Sequence, residues 1–259
     1  MSRPRVVVHN IASADGRLTL APDVLLLGGD ERWRAVDDGN SSVGDWLRAH
    51  HAPGAILEGS GSFLPEGAEP ESLPPFNSDP APLYEDYLPQ AIIGRVGHRG
   101  WFCAVDGRGR VRWGVKDGAT FGPAWAGWYA LSIVHRATPP EYLAYLQREE
   151  VPYLVAGSGP QVDLAMALEK LGGKLRVACV LSTGGGKLNG ALLRAGLVDE
   201  INIEYCPAII GGVGTPALFD APPLQAGEWP TRLRLLNAEV RDGGRVWLRY
   251  AVEETPGGV

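Results

Sequence analysis

The chain has 259 residues, 45% of them hydrophobic, enough to bury a core in one large α/β domain or two small ones. A net charge of −6 gives no basic footprint for nucleic acid and favours a small-molecule partner. Cys103, Cys179 and Cys206 lie far apart with no C-x-x-C spacing, so neither a disulfide framework nor a zinc site is indicated.

In chain order, short apolar runs alternate with helix-like segments. Strands are expected at Arg5 to His9, Val24 to Leu27, Gly54 to Glu58, Trp101 to Val105, Ala130 to Val134, Tyr153 to Ala156, Arg176 to Leu181 and Glu200 to Cys206. Helices are expected at Ser41 to His51, Pro140 to Glu149, Pro160 to Leu171 and Lys187 to Ala195. Near-continuous Val/Ile/Leu strands predict a mostly parallel sheet covered on both faces, a three-layer α/β/α sandwich. Leu233 to Glu239 and Val246 to Ala251 flank Asp242-Gly243-Gly244, so the chain is expected to close on an antiparallel hairpin. We expect one domain over 1–252 and a tail at 253–259. Pro65 to Pro89, too rich in proline for helix interiors or central ladders, should form a surface excursion, either a lid or a mobile insertion. Met1-Ser2-Arg3-Pro4-Arg5 runs straight into Val6-Val7-Val8, and no run reaches membrane-spanning length, so a cytoplasmic location is expected.

The sharpest motif is Leu181-Ser-Thr-Gly-Gly-Gly-Lys-Leu-Asn-Gly190. A strand ends, glycines let the backbone approach a ligand, and a helix opens at Lys187 with free amides pointing back. Leu188 stands where a Walker A loop needs Ser or Thr, and Asn189 where the third glycine of G-x-G-x-x-G would fall. The turn from Val155 to Val162 begins like that fingerprint and fails at Val162. Glycine-rich turns are also packing devices, so the motif alone leaves ligand binding and packing open. The five histidines show no metal spacing, and Asp199 and Glu200 read as a connecting turn after a helix ended by Gly196.

The stretch from Val162 through Leu181-Ser-Thr-Gly-Gly-Gly, Leu197-Val-Asp-Glu and Pro207-Ala-Ile-Ile-Gly-Gly212 resembles the reductase family of riboflavin biosynthesis, the C-terminal half of the bifunctional deaminase/reductase. Ser13-Ala-Asp-Gly-Arg17, Gly54-Ala-Ile-Leu-Glu-Gly-Ser-Gly-Ser62 and Val105-Asp-Gly-Arg-Gly-Arg110 resemble further family segments. The resemblance implies a dihydrofolate-reductase-like fold, NADPH as hydride donor, and a homodimer. It implies that Gly184, Gly185 and Gly186 lie against the cofactor diphosphate, with amides from Lys187 and Leu188 and with Gly59 and Ser62 also contributing. Arg108 or Arg110 would take the 2′-phosphate, with His135 and Arg136 as a second option. Asn10, Ser13, Arg17 and Thr183 would bind substrate, and Asp15 would serve catalysis, although Ala-Asp-Gly is also good turn chemistry.

The implied reaction opens a phosphoribosylamino-pyrimidine, 5-amino-6-(5-phosphoribosylamino)uracil or its deaminase precursor, and reduces ribosyl to ribityl without a metal. The deaminase signatures H-x-E and P-C-x-x-C do not occur, so a stand-alone reductase is expected. Thr183 stands where the family has glutamate, and Arg17 where it has lysine. Two other readings remain open: reduction of a pterin or other heterocycle, and a non-catalytic dinucleotide-binding regulatory module.

Overall fold

The computed structural model describes residues 3–25, 30–37, 39, 41–65 and 67–253. Its strands are β1 (Arg5–Ser13), β2 (Ala55–Gly59), β3 (Gly100–Val105), β4 (Trp128–Val134), β5 (Tyr153–Val155), β6 (Cys179–Ser182), β7 (Glu200–Cys206), β8 (Leu233–Val240) and β9 (Val246–Val252). Its helices are α1 (Glu31–Arg34), α2 (Val43–His51), α3 (Gln90–Ile93), α4 (Pro140–Arg148), α5 (Leu164–Leu175) and α6 (Gly186–Arg194). The strands form a mixed sheet of nine, mostly parallel, with antiparallel strands at the C-terminal end. The expected strand at Val24 to Leu27 does not form at Val24 or Leu25, and its last two residues lie outside the described ones. Backbone contacts divide the chain into two compact units, Met1–Pro4 with Pro53–Val180, and Arg5–Ala52 with Leu181–Val259.

The first unit carries β5, β4, β3 and β2 in that order, all parallel. Its core lies under α4, where Tyr142, Leu143 and Leu146 are buried with Val111, Trp113 and Tyr153. The polar ends of these rings are satisfied: the Trp113 indole donates to Ser132 Oγ at 2.9 Å, and the Trp113 amide donates to the Tyr145 hydroxyl at 2.8 Å. The proline-rich excursion is a strap fastened along its length. Arg110 donates to the carbonyls of Pro65 and Ala68, Arg112 to that of Glu71, and Tyr153 to that of Leu83. Asp86 accepts from Lys170 and from the Val155 amide, and Leu83 sits in the core.

Asp163 caps α5 by accepting from the Met166 amide at 2.9 Å, so the helix starts later than Pro160. It also runs past the half-buried Gly172 and the exposed Gly173 to Leu175, because the buried Ala167, Leu168 and Leu171 hold a helix that two glycines only weaken. Arg176 ends it with a left-handed φ of 56°, which removes Arg176 from the following strand.

In the second unit β1 runs parallel to β7, β9 is antiparallel to β7, and β8 is antiparallel to β9. Gly243 and Gly244, both with positive φ, make the expected hairpin turn. Glu200 corrects the connecting-turn reading. It opens β7, is 1% exposed, and accepts from Arg5 at 2.9 Å, Asn202 at 3.0 Å and Arg249 at 3.2 Å. A carboxylate this buried is tolerated because cations and an amide surround it. Burial alone would raise its pKa; the Asn202 and Arg5 hydrogen bonds, with His51 and Arg249 nearby, hold it below the usual range.

Candidate active site

The second unit holds Asn10, Ser13, Asp15, Arg17, Thr183 and Gly184 to Leu188; the first holds Gly59, Ser62, Arg108 and Arg110. Within the second unit, β1 and α6 meet through a buried amide pair. Asn189 donates to Asn10 Oδ1 at 2.7 Å and to the Gly184 carbonyl at 2.9 Å, and Asn10 donates to the same carbonyl at 3.1 Å. Ser182 donates to Asn189 Oδ1 at 2.9 Å. Asn189 and Ser182 have no exposed surface, so the network is a fixed part of the unit. With the Gly184 carbonyl turned inward, the trans peptide plane aims the Gly185 amide the opposite way. Gly185 is the N-cap of α6 and offers no side-chain cap.

The three glycines do different jobs. A Cβ on Gly186 would fall 2.0 Å from the Ala217 carbonyl and 2.6 Å from Asp220 Oδ2, so Gly186 is bare for protein packing. Its carbonyl also accepts the Asp220 amide at 2.9 Å. The Leu188 amide is spent on the Gly185 carbonyl at 3.1 Å, which corrects the expectation that it is offered to a cofactor. Lys187 is exposed, and Thr183 is half-buried where β6 runs into the turn.

Ser13, Asp15 and Arg17 form a tight turn at the carboxyl end of β1. Ser13 Oγ donates to Asp15 Oδ1 at 2.6 Å and accepts from the Arg17 amide at 2.9 Å. Asp15 also accepts from the amides of Ile210 at 3.1 Å and Gly211 at 2.7 Å, and Arg17 donates to the Thr215 carbonyl at 2.8 Å. The Ser13 hydroxyl and the Ile210 amide lower the Asp15 pKa to about 2, so Asp15 is a fixed anion at neutral pH.

In the first unit Gly59 ends β2, and Ser62, 3% exposed, gives its hydroxyl to buried Glu58 at 2.6 Å. Arg110 is committed to the strap. Arg108 is exposed at the tip of the turn after β3 and, among the described residues, holds no hydrogen bond or ion pair. Asp106 braces that turn by accepting the Val111 amide at 2.7 Å. A Cβ on Gly107 would strike the His135 ring at 2.3 Å. His135 is buried and accepts the Ala137 amide at Nδ1, while Arg136 lies 3.8 Å from Glu85 on the surface. Asn189, Ser182 and Glu58 escaped the sequence reading because a buried Asn, Ser or Glu in an apolar segment gives no periodic signal.

The RibD C-terminal domain model matches residues 126–247, a little under half of the chain. That stretch contains β6, the glycine turn, α6 and the 207–215 loop. A 2,5-diamino-6-ribosylamino-4(3H)-pyrimidinone 5′-phosphate reductase from Methanothermobacter thermautotrophicus is 35% identical over 102 residues, which cover 39% of this chain and 46% of that relative. The chain thus matches about half the length of this curated relative. Among solved structures, a pyrimidine reductase-like protein from Corynebacterium diphtheriae superposes with a TM-score of 0.63 at 19% identity, covering 97% of this chain and 93% of that one. The riboflavin biosynthesis reductase Rib7 of Saccharomyces cerevisiae gives 0.59 at 16% identity, over 97% and 90% of the two chains. RibD of Acinetobacter baumannii gives 0.57 at 20% identity, over 97% of this chain and 58% of that one. The chain therefore shares the fold of the RibD-type pyrimidine reductases, the dihydrofolate-reductase-like architecture that its motifs resemble.

Proposed function

We propose that the chain is an NADPH-dependent reductase of a phosphoribosylamino-pyrimidine, taking 5-amino-6-(5-phosphoribosylamino)uracil or its deaminase precursor from ribosyl to ribityl. The observation that carries this reading is the start of α6: an uncapped helix end whose preceding carbonyl is held inward by Asn10 and Asn189. Such an end favours a diphosphate through the helix dipole and the close approach its glycine backbone allows. The likeness of this same stretch to the RibD C-terminal domain and to the archaeal pyrimidinone phosphate reductase supports the choice of dinucleotide and substrate class.

When bound, NADPH would supply the hydride for C1′ of the opened sugar. The Gly184–Gly185 turn before α6 would hold its diphosphate. Thr183, with Arg17 at the end of β1, would face the substrate. Asp15, already ionised, is unsuited to donate a proton. Burial of Cys103, Cys179 and Cys206, far apart in the sequence, supports a reducing, cytoplasmic setting. Among the described residues no helix is long and apolar enough to cross a membrane.

A homodimer belongs to the proposal. All eight residues of the edge strand β8 are exposed or half-buried, yet Leu233, Leu235 and Val240 are apolar. An edge strand with exposed apolar residues offers its unpaired backbone groups to the same edge of a second copy of the chain.

The test is steady-state NADPH and NADH oxidation with each pyrimidine. Consumption with formation of the ribityl product, faster with NADPH, is the expected result.

A further inference from the structure

Asp15 and the 207–215 loop make a device beyond cofactor and substrate assignment. The loop leaves the carboxyl end of β7, an end of a parallel strand where ligands of open α/β sheets lie. It carries Ile209 and Val213, whose side chains are 74% and 108% exposed, beside Gly211, Gly212 and Gly214, all at positive φ. Successive backbone amides in such glycine-rich turns make a concave anion receptor. Here the anion is internal: the Asp15 carboxylate takes the Ile210 amide on one oxygen and the Gly211 amide on the other. The loop is zipped to the same turn on both flanks. The Ala14 amide donates to Ala208, the Leu18 amide to Pro216 and the Leu218 amide to Gly16, while Arg17 reaches the Thr215 carbonyl.

Between these flanks, carboxylate bonding holds the loop in a form that leaves two bulky apolar side chains in water. A flat heterocycle that stacks on Ile209 and Val213 would relieve that exposure. We propose that Asp15 is a positioning residue for the substrate: it fixes the 207–215 loop so that Ile209 and Val213 form an apolar wall against the pyrimidine ring. The inference rests on the pyrimidine-reductase reading above. It differs from a catalytic role because Asp15 acts through the loop.

In Asp15→Asn the amide side chain can accept on one atom only and presents an N–H to the second amide donor, so the clamp opens. For this variant we expect faster hydrogen exchange across 208–214 with an unchanged rate elsewhere. We also expect KM for the pyrimidine to rise about tenfold or more, with kcat within a few-fold and the NADPH Kd unaltered. Ile209→Ala with Val213→Ala should raise the same KM without loosening the loop. No limb between pH 6 and 9 should disappear in Asp15→Asn, because Asp15 is ionised throughout that range.

Unchanged exchange at 208–214, or a loosened loop with an unchanged KM, overturns the inference. So does a large loss of kcat at constant KM, which would make Asp15 catalytic. Absence of pyrimidine turnover by the natural protein overturns the functional reading and this inference together. The exchange data separate that outcome from a failure of the clamp alone.

Discussion

At the scale of single residues, the amide pair gives a fixed shape to a glycine turn that fits no phosphate template. Asn189 is the residue that breaks the G-x-G-x-x-G pattern, and it is also the one that holds the Gly184 carbonyl inward. Asn189→Ala would leave the Gly184 carbonyl with one donor fewer and Asn10 Oδ1 with none from α6. A buried group left unsatisfied costs roughly 1–3 kcal/mol. We expect Asn189→Ala to lower the melting temperature and to weaken NADPH binding, measured by thermal unfolding with and without cofactor. An unchanged cofactor-induced shift would mean that the turn does not depend on the pair. A close backbone approach at Gly186 was legible in the sequence. That Gly186 answers to Ala217 and Asp220 was not, because its partners lie far along the chain and the contact exists only after folding.

At the scale of elements, strand and helix placements were largely legible because each segment's periodicity agreed with its burial. Boundaries moved where local chemistry decides, as at the Asp163 cap and the left-handed Arg176. What periodicity could not reveal is the polar layer between β1, β7 and β9, since His9, Glu200, Asn202 and Glu204 sit in strands that read as buried. His9 has its Nε2 buried without a partner, and burial, aided by the nearby Arg48 charge, lowers its pKa from 6.5 to about 4. Burial also lowers that of His51, against the opposing pull of Glu200. Between pH 6.5 and 4 the unfolded chain binds a proton at His9 that the folded one refuses. Stability is therefore full above pH 6.5 and falls as the pH drops through that window, by on the order of 3 kcal/mol from His9. Unfolding by urea across this range should give a shallower pH dependence in His9→Gln than in the natural protein. An identical slope would mean that His9 does not carry the effect.

At the scale of the whole molecule, a mostly parallel sheet closed by an antiparallel hairpin was readable from the Asp242-Gly243-Gly244 turn and the runs beside it. The division into two compact units was not, since each unit is assembled from segments distant in sequence. The exposed apolar edge at β8 sets an assembly-scale expectation. Sedimentation should find a dimer for the natural chain and a monomer for Leu235→Asp, because a charge at a buried apolar contact is strongly unfavourable. A monomeric natural chain would remove the homodimer from the proposal. The claim on which the functional account turns is hydride transfer to a ribosylamino-pyrimidine, and its most direct measurement is NADPH oxidation with product analysis by mass. The account predicts that NADPH is consumed with 5-amino-6-(5-phosphoribosylamino)uracil or its deaminase precursor, that a product two hydrogens heavier appears, and that NADH serves less well. NADPH that binds and stabilises the protein yet is consumed with neither pyrimidine would contradict it and leave a dinucleotide-binding module in its place.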